Sequence, residues 1–245
     1  MSRAVARLAG AAALALAGSG AAAGPPYDTD DPETTDLGHW EIYAFAAGAG
    51  SDGSFDGTTG LDLSYGVAPD VQLTATLPID VTRNGGVTQA GAGNAEIGVK
   101  YRFFHREEGG FSIAVFPRIF LPTAGRRFGS GRVAVLLPVW AQKDFGAWSL
   151  FGGGGYTINP GPGNRDFWQS GMAVTRTVTP RLSLGGEIIH QDADAVGGRA
   201  TTALGVGGIY RLGGPFSLLF SGGPSFEHRR AGAQLHIYAA LGANF

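Results

Sequence analysis

The feature that most constrains this chain is an alternation of apolar and polar residues with a period of two. In one run, Val71, Leu73, Ala75, Leu77, Ile79 and Val81 alternate with Gln72, Thr74, Thr76, Pro78, Asp80 and Thr82. Successive residues of a strand face opposite sides of a sheet, so this run predicts a strand with one apolar face. It exceeds the usual length of a soluble strand, about 5 to 6 residues. A strand tilted across a bilayer needs about 9 to 11 residues, which suits this run.

Twelve runs of this kind follow one another along the chain. They predict strands at roughly residues 38–50, 57–68, 70–83, 93–105, 110–122, 132–143, 146–158, 166–178, 180–191, 199–212, 215–227 and 232–245. An even strand number is typical of single-chain bacterial barrels. Ten strands are an alternative, because Gly152 to Gly155 has little strand propensity and neither parity is apolar around Arg176. The predicted fold class is all-β: a transmembrane antiparallel up-and-down β-barrel at residues 38–245.

A soluble β-sandwich also alternates, but its turns recur about every 8 to 12 residues. The predicted strands here are longer, and their second parity is rich in small residues and poor in lysine. Lys100 and Lys143 are the only lysines of the chain, whereas a solvated sheet face normally carries more charge. Prolines inside the predicted strands, such as Pro78 and Pro117, indicate bulges or bends. Aromatic residues near the predicted strand ends are typical of the interfacial girdles of membrane barrels.

The N-terminus has the pattern of a cleaved signal peptide at residues 1–23. Arg3 and Arg7 precede an apolar stretch from Leu8 to Ala17, and small alanines follow at 21–23. A membrane anchor is the alternative, but about 18 to 20 apolar residues would be required. Residues 24–37 form an acidic periplasmic segment containing Asp28, Asp30, Asp31, Glu33 and Asp36. Such a run is either a solvated tail or a segment that enters the barrel mouth and pairs with luminal arginines.

The inward parity of the predicted strands supplies the candidate lumen residues. These are Glu41, Asp62, Asp80, Glu96, Lys100, Arg102, Arg118, Glu187, Arg211, Glu227 and His236. Their signs are mixed, and charges in a low-dielectric interior need partners. They either form a pairing network that stabilises the barrel or line a pore and select solutes by charge. The net charge of −2 gives no global basic field, so no nucleic acid partner is expected.

Arginines gather in the predicted outer loops: Arg126, Arg127, Arg165, Arg199, Arg229 and Arg230. Guanidinium groups bind phosphates well, so lipopolysaccharide is the expected partner there, with plain solubility as the alternative. Enzyme chemistry is not expected. His190 shares an outward parity with Leu184, and Ser170 is the one outward serine of interest, but together they form no triad. The sequence shows no spacing typical of a metal site and no phosphate loop, so no cofactor is expected.

Two motifs carry resemblances to known proteins. The C-terminal Phe245, preceded by apolar residues at alternate positions, resembles the signal that the barrel-assembly machinery reads in outer-membrane proteins. Residues 25–33, Pro-Pro-Tyr-Asp-Thr-Asp-Asp-Pro-Glu, and residues 38–42, Gly-His-Trp-Glu-Ile, resemble the start of the MetA-pathway phenol-degradation family. That family contains transporter-like barrels, so the resemblance implies a bacterial outer-membrane location.

The expected function is a channel for passive uptake of small solutes, hydrophobic or aromatic ones among them. Twelve strands enclose more room than eight, whose interior side chains just fill the barrel. The alternative from another class is a structural or surface-interaction barrel with a plugged lumen. A lipid-modifying barrel hydrolase is a minor alternative.

Overall fold

The computed structural model of the protein describes residues 25–51, 53–125, 128–129, 131–228 and 232–245. The predicted signal peptide lies outside these residues. The described strands are β1 (Trp40–Ser51), β2 (Ser54–Ala68), β3 (Val71–Asn84), β4 (Val87–Ala92), β5 (Glu96–Arg106), β6 (Phe111–Val115), β7 (Arg118–Phe120), β8 (Ala134–Phe145), β9 (Trp148–Ile158), β10 (Phe167–Thr179), β11 (Leu182–Gln191), β12 (Thr201–Gly213), β13 (Phe216–Glu227) and β14 (Gln234–Asn244). The described residues include no helix long and apolar enough to cross a membrane.

All these strands form one closed antiparallel sheet. β1 pairs with β2 on one side and with β14 on the other, which closes the barrel. β4 and β5 both pair with β3, while β6 and β7 both pair with β5 and β8. Each of these two couples is therefore a single barrel strand with an interruption. The barrel has 12 strands, which confirms the predicted fold class and makes the ten-strand alternative wrong.

Prolines lie at both interruptions because proline has no N–H to donate to a strand ladder. Pro117 separates β6 from β7, and the amide of Phe116 beside it donates to the carbonyl of Pro138 on β8 at 3.2 Å. At the break between β4 and β5, the amide of Gly93 donates to the carbonyl of Pro78 at 3.0 Å. The prolines thus mark irregularities in adjoining strands of one side of the barrel wall.

The two faces of the wall differ as the alternation predicts. Leu73, Leu235 and Ile237 are 46%, 61% and 51% exposed, so the long apolar parity points away from the barrel axis. Trp140 and Phe151 are buried and belong to the inward parity. An apolar belt around the outer circumference is the property that a bilayer requires of a barrel.

The two ends of the barrel have different connections. One end, called here the turn end, carries the start of β1 and the end of β14. It also carries the tight turns at 69–70, 107–110, 146–147, 180–181 and 214–215. The opposite end, the loop end, carries the longer connections between β7 and β8, β9 and β10, and β11 and β12. The predicted strands at 70–83 and 93–105 left residues 84–92 as a connection, but residues 87–92 form β4. Gly85 and Gly86, with φ of 57° and 83°, allow a two-residue hairpin turn there.

Aromatic residues lie in pairs near both ends of the strands. At the turn end, the rings of Trp40 and Tyr65 are 4.7 Å apart, and the guanidinium of Arg176 lies 5.2 Å from the ring of Trp148. At the loop end, the rings of Tyr156 and Trp168 are 5.0 Å apart. This placement is typical of aromatic residues that sit at the two membrane interfaces.

Candidate functional site

Residues 25–39, called here the N-terminal segment, fold into the barrel and cross its lumen. Thr29 and Asp31 within it are 0% exposed. The segment contacts the wall formed by β9 to β13 at its start and the wall formed by β2, β3 and β5 at its end. The segment therefore occupies the interior of the barrel.

The first half of the segment is held by hydrogen bonds to β11, β12 and β13. The hydroxyl of Tyr27 donates to the carbonyl of Gly207 at 3.0 Å, and its ring lies 6.2 Å from the ring of Phe151. The carboxylate of Glu187 accepts from the amide of Thr29 at 2.9 Å and from that of Asp28 at 3.2 Å. Glu187, predicted as a lumen residue, thus anchors the backbone of the segment.

Glycines of the inward parity make room for this half. A Cβ added to Gly171 would lie 2.3 Å from Thr29 Oγ1, and one added to Gly185 would lie 2.7 Å from the hydroxyl of Tyr27. Any larger residue there would occupy the space of the segment. Nothing local in the sequence distinguishes Gly171 and Gly185 from the other glycines of the wall, so this role follows only from the structure.

The second half of the segment is held by charge. Lys100 Nζ lies 2.8 Å from Asp30 Oδ1 and 3.7 Å from Asp31 Oδ1. Arg102 contacts Glu33 at 2.5 Å and Asp70 at 2.7 Å. Charge-assisted bonds of this length are the stronger kind of hydrogen bond. Two of the predicted lumen residues, Lys100 and Arg102, are therefore partners of the acidic segment.

Burial affects the acids of the segment. Burial raises the pKa of Asp31 well above its ordinary value, although nearby Lys100 opposes the shift. The pKa of Asp28, which is exposed to the lumen, is also raised because the surrounding wall partly desolvates its carboxyl group, and nearby His236 opposes this shift. Both carboxyls are therefore easier to protonate here than in water.

Two adjoining cavities remain beside the segment. The outer chamber, about 470 Å³, opens between the segment and the loop end, and its lining includes Phe120, Leu136 and Ile189. The side passage, about 310 Å³, runs along the β1–β3 wall past the segment. Three residues line both cavities: Asp28, Glu96 and Arg118. The two cavities therefore meet at these side chains, where Arg118 Nη1 lies 3.5 Å from Glu96 Oε1.

The other predicted lumen residues are distributed along the barrel. Glu41 and Asp62 line the side passage, and His236 lines the outer chamber. Asp80 lies apart, in a cavity beside Phe128. Arg211 donates to the carbonyl of Pro180 at the turn end, whereas Glu227 pairs with Arg199 at 3.6 Å near the loop end. The structure thus brings Glu41, Asp62, Glu96, Lys100 and Arg118 together and leaves Asp80, Arg211 and Glu227 outside this group.

The remaining predicted sites are places on the outside of the barrel. Ser170 lies directly across from His190 on the outward face. His190 Nδ1, however, is 2.8 Å from Thr202 Oγ1 and its Nε2 is 3.5 Å from Asp192 Oδ1, so both ring nitrogens contact groups other than Ser170. Arg165 and Arg199 lie in loop-end connections. Arg126, Arg127, Arg229 and Arg230 lie outside the described residues. Within the described ranges, no group of three metal-ligating side chains is assembled.

The model of the family described as Putative MetA-pathway of phenol degradation matches residues 26–239. The chain belongs to this family. The match begins in the N-terminal segment and runs through the barrel into β14, so the family pattern includes both the wall and the segment that crosses it. This confirms the resemblance expected from residues 25–42. No curated protein matches the chain.

Solved structures with the same fold include outer-membrane channels and porins. The COG4313 outer membrane channel from Pseudomonas putida F1 superposes with a TM-score of 0.72 at 14% identity, covering 89% of this chain and 100% of that one. The NanC porin gives a TM-score of 0.56 at 8% identity, covering 82% and 98%. The KdgM porin, in complex with disordered oligogalacturonate, gives 0.54 at 11% identity, covering 83% and 99%. The family member described here is thus an outer-membrane β-barrel, as predicted.

Proposed function

We propose that this family member is a passive channel for small solutes, hydrophobic or aromatic ones among them, and that its N-terminal segment narrows the route. The observation that carries the proposal is the pair of adjoining cavities that share Asp28, Glu96 and Arg118. The lining of the outer chamber includes Gln191 and Thr201 near the loop end, and that of the side passage includes Glu41 and Gln72 near the turn end. The apolar side chains of Phe120, Leu136 and Ile189 in the outer chamber would contact the apolar part of a solute.

The turn end faces the periplasm in this proposal, since short periplasmic turns and longer external loops are usual in such barrels. Arg165 and Arg199 would then lie at the outer surface, where lipopolysaccharide phosphates are their proposed partners. The lumen residues would contribute polar contacts to the solute, and no covalent step or cofactor is involved.

A second candidate is a structural barrel with a closed lumen. The contacts of Glu187, Lys100 and Arg102 with the segment favour this second candidate, because they hold the segment across the lumen. The two candidates differ in a single respect, which is whether the side passage conducts while the segment is docked.

Single-channel recording in planar bilayers tests the proposal, with the protein compared with a variant lacking residues 24–37. The proposal expects a small conductance for the protein and a larger one for the variant, and liposomes containing either should swell in small neutral aromatic solutes. Conductance in the variant alone would establish the closed structural barrel. If neither the protein nor the variant conducted, although both were folded and inserted, a channel of any kind would be contradicted.

A further inference from the structure

The side passage carries more carboxylates than cations. Its lining includes Asp28, Asp30, Glu33, Glu41, Asp62 and Glu96 against Lys100 and Arg118. Both cations are already engaged, Lys100 with Asp30 and Arg118 with Glu96, while Glu33 pairs with Arg102. Among the described residues, Asp28, Glu41 and Asp62 form no ion pair. The carboxyl groups that line the passage therefore outnumber its cationic groups by six to two.

Asp62 has a buried oxygen with nothing to bind. Its Oδ1 is shielded from solvent and has no hydrogen-bond partner among the described residues. Glu41, further along the same wall, accepts from the neutral donors Asn244 Nδ2 at 3.1 Å and the Tyr43 hydroxyl at 3.4 Å. Buried polar atoms in proteins are nearly always satisfied, so the Asp62 carboxylate, which lines the cavity, retains unused capacity to accept a hydrogen bond.

Aromatic rings line the same passage as these carboxylates. Tyr43, Phe45 and Tyr238 all belong to its wall, and the rings of Phe45 and Tyr238 are nearly parallel at 6.3 Å. A ring of this lumen already receives cations, because Lys100 Nζ lies 5.0 Å and the Arg118 guanidinium 4.9 Å from the centre of Phe116. Ring faces together with carboxylates are the chemistry that recognises organic ammonium groups.

We propose that the side passage is selective for cations and binds small organic ammonium ions, with Asp62 and Glu41 as the residues that determine specificity. The inference rests on the proposed channel function. The ammonium group would donate to the carboxylates of Asp62 and Glu41, and the apolar body would lie against Tyr43, Phe45 and Tyr238. The passage volume of about 310 Å³ accommodates a ligand with a single aromatic ring. Fixed wall charge of one sign is a usual basis of charge selectivity in pores.

The experiment uses three probes with the same ring and different charge: benzylammonium, benzyl alcohol and benzoate. Reversal potentials are measured across planar bilayers in gradients of potassium chloride, benzylammonium chloride and sodium benzoate. We expect each gradient to report cation preference, and we expect benzylammonium, unlike benzyl alcohol, to block the potassium current at increasing concentration. Asp62→Asn and Glu41→Gln should each reduce the cation-to-anion permeability ratio several-fold and weaken the block.

The matched control is Asp80→Asn, since Asp80 shares the inward parity of β3 but lines a different cavity. It should leave the permeability ratio and the block unchanged. Absence of channels in both the protein and the variant lacking residues 24–37 would overturn the proposed function itself. The present inference would be overturned if the channels showed no cation preference. It would also be overturned if neither Asp62→Asn nor Glu41→Gln changed the preference and the block. In both cases the proposed channel function would remain.

Discussion

At the scale of single residues, Lys100 pairs with two carboxylates of the N-terminal segment. It is the only cation within 4.0 Å of Asp30 and Asp31 among the described residues. Lys100→Met would leave the buried carboxylate of Asp31 and the partly buried one of Asp30 without a counter-charge. Breaking a buried ion pair in this way costs about 3 to 5 kcal/mol of stability. We expect the N-terminal segment to leave its position and the single-channel conductance to rise.

The second lysine of the chain is a suitable control for this prediction. Lys143 lies at the turn end and donates to the carbonyl of Gly109 on the exposed surface. Lys143→Met removes the same charge without touching the segment, so conductance should not change. Equal conductances for Lys100→Met and Lys143→Met would contradict the role assigned to Lys100.

Gly171 offers a test of the opposite wall that removes no charge. The atoms nearest to an added Cβ there all belong to Thr29. Gly171→Val should therefore displace the segment while the strand ladder persists, and conductance should rise as it does for Lys100→Met. Gly186→Ala, on the adjoining strand but facing outward with its nearest atom at 3.1 Å, should behave like the unmodified protein in the same recordings.

At the scale of elements, β14 both closes the barrel and ends the chain. The amide of Trp40 donates to the carbonyl of Phe245 at 2.7 Å, and the amide of Phe245 donates back at 3.0 Å. The side chain of Phe245 is nevertheless 59% exposed, so its ring contributes little to packing. This combination supports the proposal that the barrel-assembly machinery reads Phe245.

Phe245→Ala should then reduce assembly in cells several-fold and leave unassisted refolding in detergent unchanged, since the backbone bonds remain. Heat-modifiable mobility of the barrel on gels measures both quantities. If the yield of folded barrel fell equally in cells and in detergent, the ring would stabilise the folded barrel itself. The assembly role would then be wrong.

At the scale of the whole molecule, conductance should depend on pH through the docked segment. The pKa values of Asp28 and Asp31 are raised by desolvation inside the barrel. A raised pKa in the docked state means that docking is favoured most below the ordinary value of an aspartate, about 4, and is weakened as the pH rises through the raised value. Conductance should therefore fall as the solution is acidified from neutral pH.

Asp28→Asn separates this effect from other titrations. The neutral amide mimics the protonated acid, so the variant should conduct less than the protein at neutral pH and show a smaller change on acidification. Recordings at several pH values, with the variant lacking residues 24–37 as the reference, provide the comparison. An acid-induced fall of the same size in that reference would place the titrating groups in the wall instead of the segment.

The sequence by itself determined the barrel wall. The parity of Val71 to Val81 and of Ala233 to Phe245 specifies which residues face outward, because side-chain direction in a strand depends only on position along the chain. The sequence left ten or twelve strands open, and the closed sheet, which uses every predicted strand, decided for twelve. The irregularities at Pro78 and Pro117 could also be predicted from the sequence, because each arises from the missing N–H of the proline itself.

Only the tertiary structure decided what fills the lumen. The N-terminal segment has no period, so nothing local specifies that Thr29 meets Gly171 or that Asp30 meets Lys100. Parity places Glu41, Asp62, Asp80 and Glu227 alike on the inner face, yet only the first two line the side passage. The physical reason is that facing inward is a property of one strand, whereas sharing a cavity depends on strand tilt, closure and the path of a segment held by contacts distant in sequence.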